Sequence, residues 1–246
     1  MGIYSHNISK MIVISAVILS VLFVILLIRI FESRRPNSIP KIIHQTAPAD
    51  RGKWNPVWFE CQKSWKNLHP DFEYMFWSDE DVDDFMKTKY PKYYDMFKSY
   101  DVNIKRFDAF RYFVLYHYGG IYADMDYKCQ KRFYEEIPKN KISIGESLVM
   151  NDEGYQNALM ISPKKHDFWL TVFDLLEQNK NIKDVLECTG PKLISRCAHH
   201  RNYDIFSLNT GEYNPYFNHY EDSPDNYKDA KTIHMHTYSW YKEDKK

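Results

Sequence analysis

The 246-residue sequence has few glycines and no net charge. Its 33 lysines and arginines balance 33 aspartates and glutamates, and the two signs are interspersed along the chain. Such a distribution offers neither a basic surface for nucleic acid nor a binding surface for another polyanion. Internal repeats and low-complexity tracts are also absent. The length fits one domain plus an anchor.

Cysteine is also scarce, and the spacing of the four present matches no zinc motif. They are Cys61, Cys129, Cys188 and Cys197. An even number permits disulfides in an oxidising compartment, and Cys188–Cys197 is the easiest loop to close. Buried free thiols fit the sequence equally well, so both states remain open.

One long apolar segment lies near the N-terminus. Met11–Ile28 is 18 residues without a charge, bracketed by Lys10 and Arg29. As a helix it would span roughly 27 Å, enough for a thin bilayer. A cleaved signal peptide is the alternative, but the run is longer than usual for one and no Ala-x-Ala-like site follows. We therefore expect an uncleaved membrane anchor.

The eight glycines include one adjacent pair, Gly119-Gly120, which follows an aromatic helical stretch. Gly119 stands where the C′ residue of a helix adopts a left-handed backbone. Ile121–Ala123 then suits a buried strand. Asp124 and Asp126 would emerge on one side of the chain at the strand's end. Two carboxylates placed there predict a divalent-cation site that serves a bound diphosphate.

Strand and helix signals alternate through this region. Strands are expected at Ile39–His44 and Phe72–Trp77, with helices at Val57–Leu68 and from about Val102 to Tyr118; Ser78 with Asp81, and Asp101, are expected to cap the helices that follow them. This alternation predicts a mostly parallel sheet, on which ligands bind beyond the carboxyl ends of the strands. His44-Gln45-Thr46 falls at the same edge as the two aspartates.

These motifs resemble, in order, the sugar-nucleotide-binding core of glycosyltransferase family 32, which contains initiating and inositol-phosphoceramide mannosyltransferases. The matching segments are Ile39–Thr46, Ser64-Trp65, Pro70–Trp77 with Asp79, Arg106–Asp126, Asn157–Trp169, Thr189-Gly-Pro191 and His234–Trp240. The resemblance covers about two hundred residues. It implies an α/β fold of the GT-A type, with a Rossmann-like, mostly parallel sheet flanked by helices, preceded by one N-terminal transmembrane helix.

The resemblance also implies a metal-dependent hexosyltransferase that uses Mn²⁺ or Mg²⁺. The implied metal ligands are Asp124, Asp126, His234 and His236. Carboxylates suit either ion, whereas a histidine ligand favours Mn²⁺. Alternation along a strand would put both histidines on one face, so the choice between them stays open.

A further set of residues is implied to hold the nucleotide sugar. They are His44, Gln45, Thr46, Asp108, Arg111, Tyr122, Ser239 and Trp240. Asp108 would accept from sugar hydroxyls, and Arg111 can donate two parallel hydrogen bonds to sugar or phosphate. Tyr122 contacts the donor or belongs to the core. Glu146 joins the two aspartates as a candidate catalytic residue that stabilises positive charge at the anomeric carbon.

The implied reaction is transfer of a hexose from a nucleotide sugar to a glycan or glycolipid, with retention and an α-linkage. The departing phosphate would receive the proton of the acceptor, so no protein base is required. GDP-mannose is the expected donor, while UDP-galactose, UDP-glucose and UDP-N-acetylglucosamine stay open. A metal-dependent phosphohydrolase would normally need more metal ligands. An inactive sugar-binding relative would be expected to lack Asp124 or Asp126.

The expected organisation is a tail (1–10), a transmembrane anchor (11–30), a short stem (31–38) and a catalytic domain (39–246). The resemblance implies a single-pass type II protein with its catalytic domain in an ER- or Golgi-like lumen. The flanking charges favour the opposite orientation, since Lys10 precedes the span and Arg29, Arg34, Arg35 and Lys41 follow it. The orientation therefore stays open.

Overall fold

The computed structural model describes residues 18–24, 38–148, 154–200, 203–216 and 222–237. The chain divides into two compact units, Met1–Ser38 and Ile39–Lys246. In the first unit residues 18–24 are helical (α1). Among the residues described, no helix combines the length and apolar character needed to cross a membrane. Apart from residues 18–24, the predicted anchor lies outside the described part of the chain.

The second unit alternates strands and helices. Its strands are β1 (Ile42–Thr46), β2 (Glu73–Trp77), β3 (Gly120–Ala123), β4 (Tyr127–Cys129), β5 (Ile142–Glu146), β6 (Tyr155–Ser162), β7 (Ile205–Leu208) and β8 (Thr232–His234). Its α-helices are α2 (Pro56–Leu68), α3 (Asp79–Lys89), α4 (Pro91–Ser99), α5 (Asn103–Tyr118), α6 (Phe168–Asn179), α7 (Val185–Cys188), α8 (Pro191–His200) and α9 (Thr210–Tyr213).

Six of these strands form the central sheet, in the order β2-β1-β3-β6-β5-β7. Strand β1 is parallel to β2 and β3, and β5 is parallel to β7. Strand β6 is antiparallel to both of its neighbours. Five strands therefore share one direction and β6 opposes them, which makes the α/β sheet mixed. A separate two-stranded sheet joins β4 to β8.

Apolar side chains cover both faces of the sheet. One core packs Phe110 and Phe113 of α5 against Trp169 and Phe173 of α6. The other places Trp65 of α2 among buried strand residues. Burying one such large apolar side chain contributes about 1.5–3 kcal/mol. The two cores fix the sheet between helices and leave its strand ends free to carry polar groups.

The predicted helix starts are confirmed at one position and wrong at another. Ser78 and Asp81 form a reciprocal capping box at the start of α3. Asp101 does not cap α5, because the N-cap position is taken by Val102, which provides no side-chain hydrogen bond. The carboxylate of Asp101 accepts instead from Lys105 and Lys183. The Asp101 carboxylate is therefore paired with two lysines and does not cap the first turn of α5.

The Gly119-Gly120 pair makes a sharp connection between α5 and β3. Gly119 has φ +70° and Gly120 has φ +97°, both in the region that side chains avoid. A Cβ on Gly120 would lie 2.5 Å from the carbonyl oxygen of Ile42. This pair lets β3 run directly beside β1, which brings its carboxyl end to the edge where β1 ends.

The four cysteines are buried, and no disulfide joins them in the described part of the chain. Cys188 and Cys197 lie on α7 and α8, and the Cys188 thiol donates to the carbonyl of Asn179. Of the two alternatives left open by the sequence, the structure has the buried thiols and not the Cys188–Cys197 disulfide.

His44 is fully buried beneath the α5–β3 connection. Its Nδ1 accepts from the indole N–H of Trp77 at 3.3 Å, so Nε2 carries the proton and donates to the carbonyl of Gly119 at 2.9 Å. Burial lowers the pKa of His44 to about 4, although the bond to Gly119 acts in the opposite direction. The imidazole is therefore neutral in the folded protein at physiological pH.

We expect the free energy of unfolding to fall as pH drops from 7 to 5. The unfolded chain protonates His44 near pH 6.5 and the folded chain only near pH 4, so acid favours unfolding within that window. His44 alone should contribute about 2 kcal/mol between pH 7 and 5. Urea titrations of the wild type and His44→Gln at both pH values measure this. An equal loss in both proteins would assign the effect to other histidines.

Candidate active site

A cavity of about 440 Å³ opens beyond the ends of β1 and β3 and the start of β6. Because β6 runs against its neighbours, its first residues reach the same edge as the last residues of β1 and β3. The polar side chains that line the cavity include Thr46, Asp108, Arg111, Asp124, Asp126, Gln156, Asn157, Asn214, His234 and His236. The predicted edge of the sheet thus gathers residues that are far apart in sequence.

Asp124 follows β3 and is held from several sides. Its carboxylate accepts from the hydroxyl of Tyr122 at 3.0 Å and lies 3.1 Å from Arg111 Nη1. The backbone carbonyl accepts from the amide of Gln45 at 3.1 Å. Burial raises the pKa of Asp124, and the charge of Arg111 counters that rise. These contacts fix the direction of one carboxylate toward the cavity.

Asp126 is held by the C-terminal segment. Strand β8 pairs with β4 so that His234 lies opposite Tyr127, stacks on its ring and places Nε2 3.3 Å from Asp126 Oδ1. Thr237 donates its backbone N–H and its hydroxyl to Asp126 Oδ2, at 2.9 and 3.0 Å. Burial would raise the pKa of Asp126, but His234 and these donors hold it well below its usual range. This carboxylate is ionised.

Asp124, Asp126 and His234 form a cluster that can hold a divalent cation. One ligand atom from each lies within 4.8 Å of the others, in the described part of the chain. Two carboxylates and an imidazole suit Mn²⁺ and related ions. Of the two predicted histidines, His234 belongs to this cluster, whereas His236 lines the same cavity with its ring centroid 3.9 Å from that of His234.

A buried ion pair forms the wall beside this cluster. Arg111 Nη2 lies 2.9 Å from Asp108 Oδ1, while Nη1 donates to the carbonyl of Asn157 at 2.8 Å. Asp108 also accepts from the Asn157 amide and the Thr189 hydroxyl. Burial raises the pKa of Asp108 to about 6, although Arg111 opposes the rise. Arg111 thus links Asp108 to Asp124 through one guanidinium.

Three residues predicted to bind the donor do not line the cavity. His44, Gln45 and Tyr122 are each 0% exposed. The Tyr122 hydroxyl bonds both Thr46 and Asp124, and Gln45 supports the backbone of Asp124. Of the first motif only Thr46, the last residue of β1, reaches the cavity, because the cavity begins where the strand ends.

Glu146 is also displaced from its predicted place and does not line the cavity. Its carboxylate accepts from the Ser207 hydroxyl at 2.6 Å and from the backbone N–H of Thr210, at the start of α9, at 3.1 Å. A register irregularity between Ile144 and Glu146 accompanies this orientation. The carboxylate of Glu146 is thus bonded to β7 and α9, and its catalytic role stays a prediction. Ser239 and Trp240 lie outside the described residues.

Several residues that line the cavity or hold its aspartates were missed by the sequence reasoning. Trp58 donates its indole N–H to the hydroxyl of Thr237, which in turn holds Asp126. Asn157 opens one of the matching segments, and Thr237 lies inside another, so both carried a usable signal. Gln156 and Asn214 carried none, because isolated amides have no sequence spacing that marks a site.

Comparisons with known proteins agree with this geometry. Residues 56–148 match the family model for the glycosyltransferase sugar-binding region containing a DXD motif. Mannosyl phosphorylinositol ceramide synthase CSH1 of Saccharomyces cerevisiae is 37% identical over 173 residues, covering 67% of this chain and 44% of that protein. Inositol phosphoceramide mannosyltransferase 3 of Schizosaccharomyces pombe is 46% identical over 102 residues, covering 40% and 27%. The chain spans less than half the length of these relatives.

Two solved structures share the fold. The PaToxG glycosyltransferase superimposes with a TM-score of 0.50 at 15% identity, over 74% of this chain and 76% of that one. The glycosyltransferase domain of the YGT toxin gives 0.50 at 10% identity, over 70% and 80%. With Asp124-Met125-Asp126 as its DXD motif at the edge of such a sheet, the chain belongs to the DXD-containing glycosyltransferases of family 32.

Proposed function

We propose that this protein is a retaining, metal-dependent mannosyltransferase that uses GDP-mannose and a glycolipid of the inositol phosphoceramide type. The observation that carries the proposal is the Asp124, Asp126 and His234 cluster, which shares one cavity with the buried pair Asp108–Arg111. The names of the curated relatives supply the sugar and the lipid class.

Each part of the cavity fits one part of such a donor. A divalent cation, Mn²⁺ by preference, would be held by Asp124, Asp126 and His234 and would stabilise the charge that grows on the leaving diphosphate. Arg111 can donate to the sugar or phosphate, and Asp108 can accept from sugar hydroxyls. Thr46 lies where a nucleotide would enter at the end of β1.

The rest of the cavity wall supports a lipid acceptor. Its apolar lining residues include Ile104, Phe107, Leu148, Val185 and Leu186. A sugar has little apolar surface to pack against these side chains. An acyl or sphingoid chain that covers them removes apolar surface from water, which favours binding. The acceptor would approach along this wall with its hydroxyl toward the anomeric carbon.

The proposal is tested on a protein that lacks residues 1–35, because the described site lies wholly beyond Ile39. We expect this protein to be recovered without detergent and to transfer mannose to inositol phosphoceramide when Mn²⁺ is present. Parallel reactions with UDP-galactose, UDP-glucose and UDP-N-acetylglucosamine measure donor choice. Transfer from a UDP-sugar alone would overturn the donor assignment, and release of sugar at equal rates with and without acceptor would indicate a hydrolase.

The position of the predicted anchor is tested on the full chain. We propose a type II arrangement with the catalytic unit in the lumen, as the family resemblance implies. In sealed microsomes the C-terminal unit should then resist added protease until detergent opens the vesicles. Digestion without detergent would show that the arginines after the apolar segment set the orientation.

The two histidines should differ in their effect on metal binding. His234→Ala removes a ligand atom from the cluster, so the apparent Mn²⁺ affinity should fall at least about 10–100-fold, and excess Mn²⁺ should restore part of the activity. His236→Ala serves as the matched control and should leave the Mn²⁺ titration near that of the wild type. Wild-type titrations for both variants would mean that the aspartates and the diphosphate hold the metal without histidine.

A further inference from the structure

The two oxygens of the Asp126 carboxylate have different surroundings. Thr237 donates both its backbone N–H and its hydroxyl to Oδ2, at 2.9 and 3.0 Å. Oδ1 lies instead 3.3 Å from Nε2 of His234. A carboxylate oxygen accepts along two lone-pair directions, so the two bonds from Thr237 fill those of Oδ2. Oδ1 is therefore the oxygen left for a cation in the Asp124, Asp126 and His234 cluster.

Trp58 fixes the direction of the Thr237 hydroxyl. Its indole nitrogen lies 3.1 Å from Thr237 Oγ1, and an indole nitrogen can only donate. The threonine oxygen accepts this bond, so its single proton is left for Oδ2 of Asp126. Trp58 belongs to α2, which lies far from Thr237 in sequence, and lines the cavity. A directed relay thus runs from Trp58 through Thr237 to Asp126.

The chain bends after β8 to bring Thr237 back to Asp126. His236 has φ +45°, in the left-handed region that residues with a side chain rarely adopt. Just before this bend, the N–H of Met235 donates to the backbone carbonyl of Asp126 at 2.8 Å. An unfavourable backbone conformation persists where the surrounding contacts determine it, and such residues cluster at functional sites. The bonds from Met235 and Thr237 indicate that this segment is shaped around one aspartate.

The number of oxygens that a carboxylate offers affects which cation it binds. Ca²⁺ takes about six to eight oxygen ligands at about 2.3–2.6 Å and accepts both oxygens of one carboxylate. Mg²⁺ needs near-octahedral coordination at about 2.0–2.1 Å, and Mn²⁺ suits octahedral oxygen sites as well. A carboxylate that offers a single, fixed oxygen therefore favours the smaller ions.

We propose that Thr237 and Trp58 are positioning residues that set the metal selectivity of the site, by holding Asp126 so that it offers one oxygen to the cation. The inference rests on the proposed metal-dependent function and adds a selectivity-determining relay to it. With Oδ2 occupied, the site prefers Mn²⁺ to Ca²⁺. Without the relay the carboxylate can rotate and offer both oxygens, so the preference for Mn²⁺ should weaken.

The test measures metal binding to the full chain without nucleotide, so that contacts between a donor and the Trp58 ring do not enter. Free Mn²⁺ is followed by its electron paramagnetic resonance signal, and the affinity for Ca²⁺ is obtained from its competition with Mn²⁺. Thr237→Val removes the hydroxyl at nearly constant volume. It should bind Mn²⁺ at least about tenfold more weakly, the loss typical of a partner behind a metal ligand, while Ca²⁺ binding is kept. Thr237→Ser retains both donors and should restore the preference for Mn²⁺.

A double variant tests whether Trp58 acts through Thr237. Trp58→Phe keeps an aromatic ring and removes the N–H, so it should lower the ratio of Mn²⁺ to Ca²⁺ affinity in the wild type. In the Thr237→Val background the same substitution should leave the ratio unchanged, because the hydroxyl through which it acts is already missing. His234 is present in every variant, so a change in the ratio reports on Asp126.

Two matched controls lose comparable hydrogen bonds that do not lead to Asp126. Trp169 donates its indole N–H to the hydroxyl of Ser162, and Thr232 donates its hydroxyl to the carbonyl of Tyr213. Trp169→Phe and Thr232→Val should lower the melting temperature and leave the ratio of Mn²⁺ to Ca²⁺ affinity at the wild-type value.

A wild-type ratio in Thr237→Val, with Mn²⁺ still bound, would overturn the relay and leave the proposed function intact. Should Thr237→Val fail to fold, the ratio in Trp58→Phe decides in the same way. A wild-type protein that prefers Mn²⁺ but transfers no mannose would overturn the proposed function and leave the relay. A wild-type protein that binds no Mn²⁺ would overturn both.

Discussion

Asp126→Asn should abolish sugar transfer while leaving the protein folded. The substitution keeps the size of the side chain and an oxygen that Thr237 can still bond, but it removes the negative charge. A cation facing a diphosphate then loses one of its two carboxylates in the Asp124, Asp126 and His234 cluster. We expect kcat/KM to fall at least about 100-fold and the Mn²⁺ requirement to rise.

The control for this variant is Asp83→Asn. Asp83 is paired with Lys98 at the surface of the protein, 2.8 Å away, and lies outside the cavity. Its loss should change neither transfer nor metal titration and should cost less than about 1 kcal/mol of stability. Transfer by Asp126→Asn near the wild-type rate, at an unchanged melting temperature, would contradict the metal assignment.

Arg111→Leu should be the most destabilising substitution in the site. The guanidinium is buried and touches Asp108, Asp124 and the carbonyl of Asn157. Without it two carboxylates lose their shared counter-charge, and breaking a buried pair in this way costs about 3–5 kcal/mol. Arg111→Lys keeps the positive charge but lacks the planar, paired N–H donors of a guanidinium. It should therefore be more stable than Arg111→Leu and yet have little of the wild-type activity.

Arg132 provides a matched comparison for this effect. It also contacts two carboxylates, Asp71 at 2.5 Å and Glu135 at 2.9 Å, but its side chain is 32% exposed. Arg132→Leu should therefore cost only about 0–1 kcal/mol by chemical denaturation. Equal losses for Arg111→Leu and Arg132→Leu would mean that Asp108 and Asp124 are neutral in the folded protein.

The sequence was a good guide to the fold where local signals and burial agreed. The alternation of elements, the stop at Gly119-Gly120 and the capping box at Ser78 are short-range features, and the structure confirms each of them. The antiparallel direction of β6 could not be predicted from local sequence signals. The direction of a strand depends on how distant segments pair, and β6 is antiparallel to both β3 and β5.

In the site, too, local features were predictable from the sequence and contacts between distant segments were not. Asp124 and Asp126 were predicted from a strand end and do meet in the cavity with Asp108 and Arg111. Spacing could not place the side chain of Glu146, which turns to α9 because a backbone N–H is available there. Nor could it separate His234 from His236, since only the pairing of β8 with β4 decides which ring reaches Asp126.

That pairing has a consequence for how the protein is made. The six-stranded sheet is complete once β7 has left the ribosome, whereas β8, which brings His234 and Thr237 to Asp126, is synthesised later. A premature stop codon after β7 and before β8 would give a chain that keeps the sheet and its two large cores. Such a chain would retain the six strands of the sheet but would lack His234 and Thr237, so it would be unable to close its metal site.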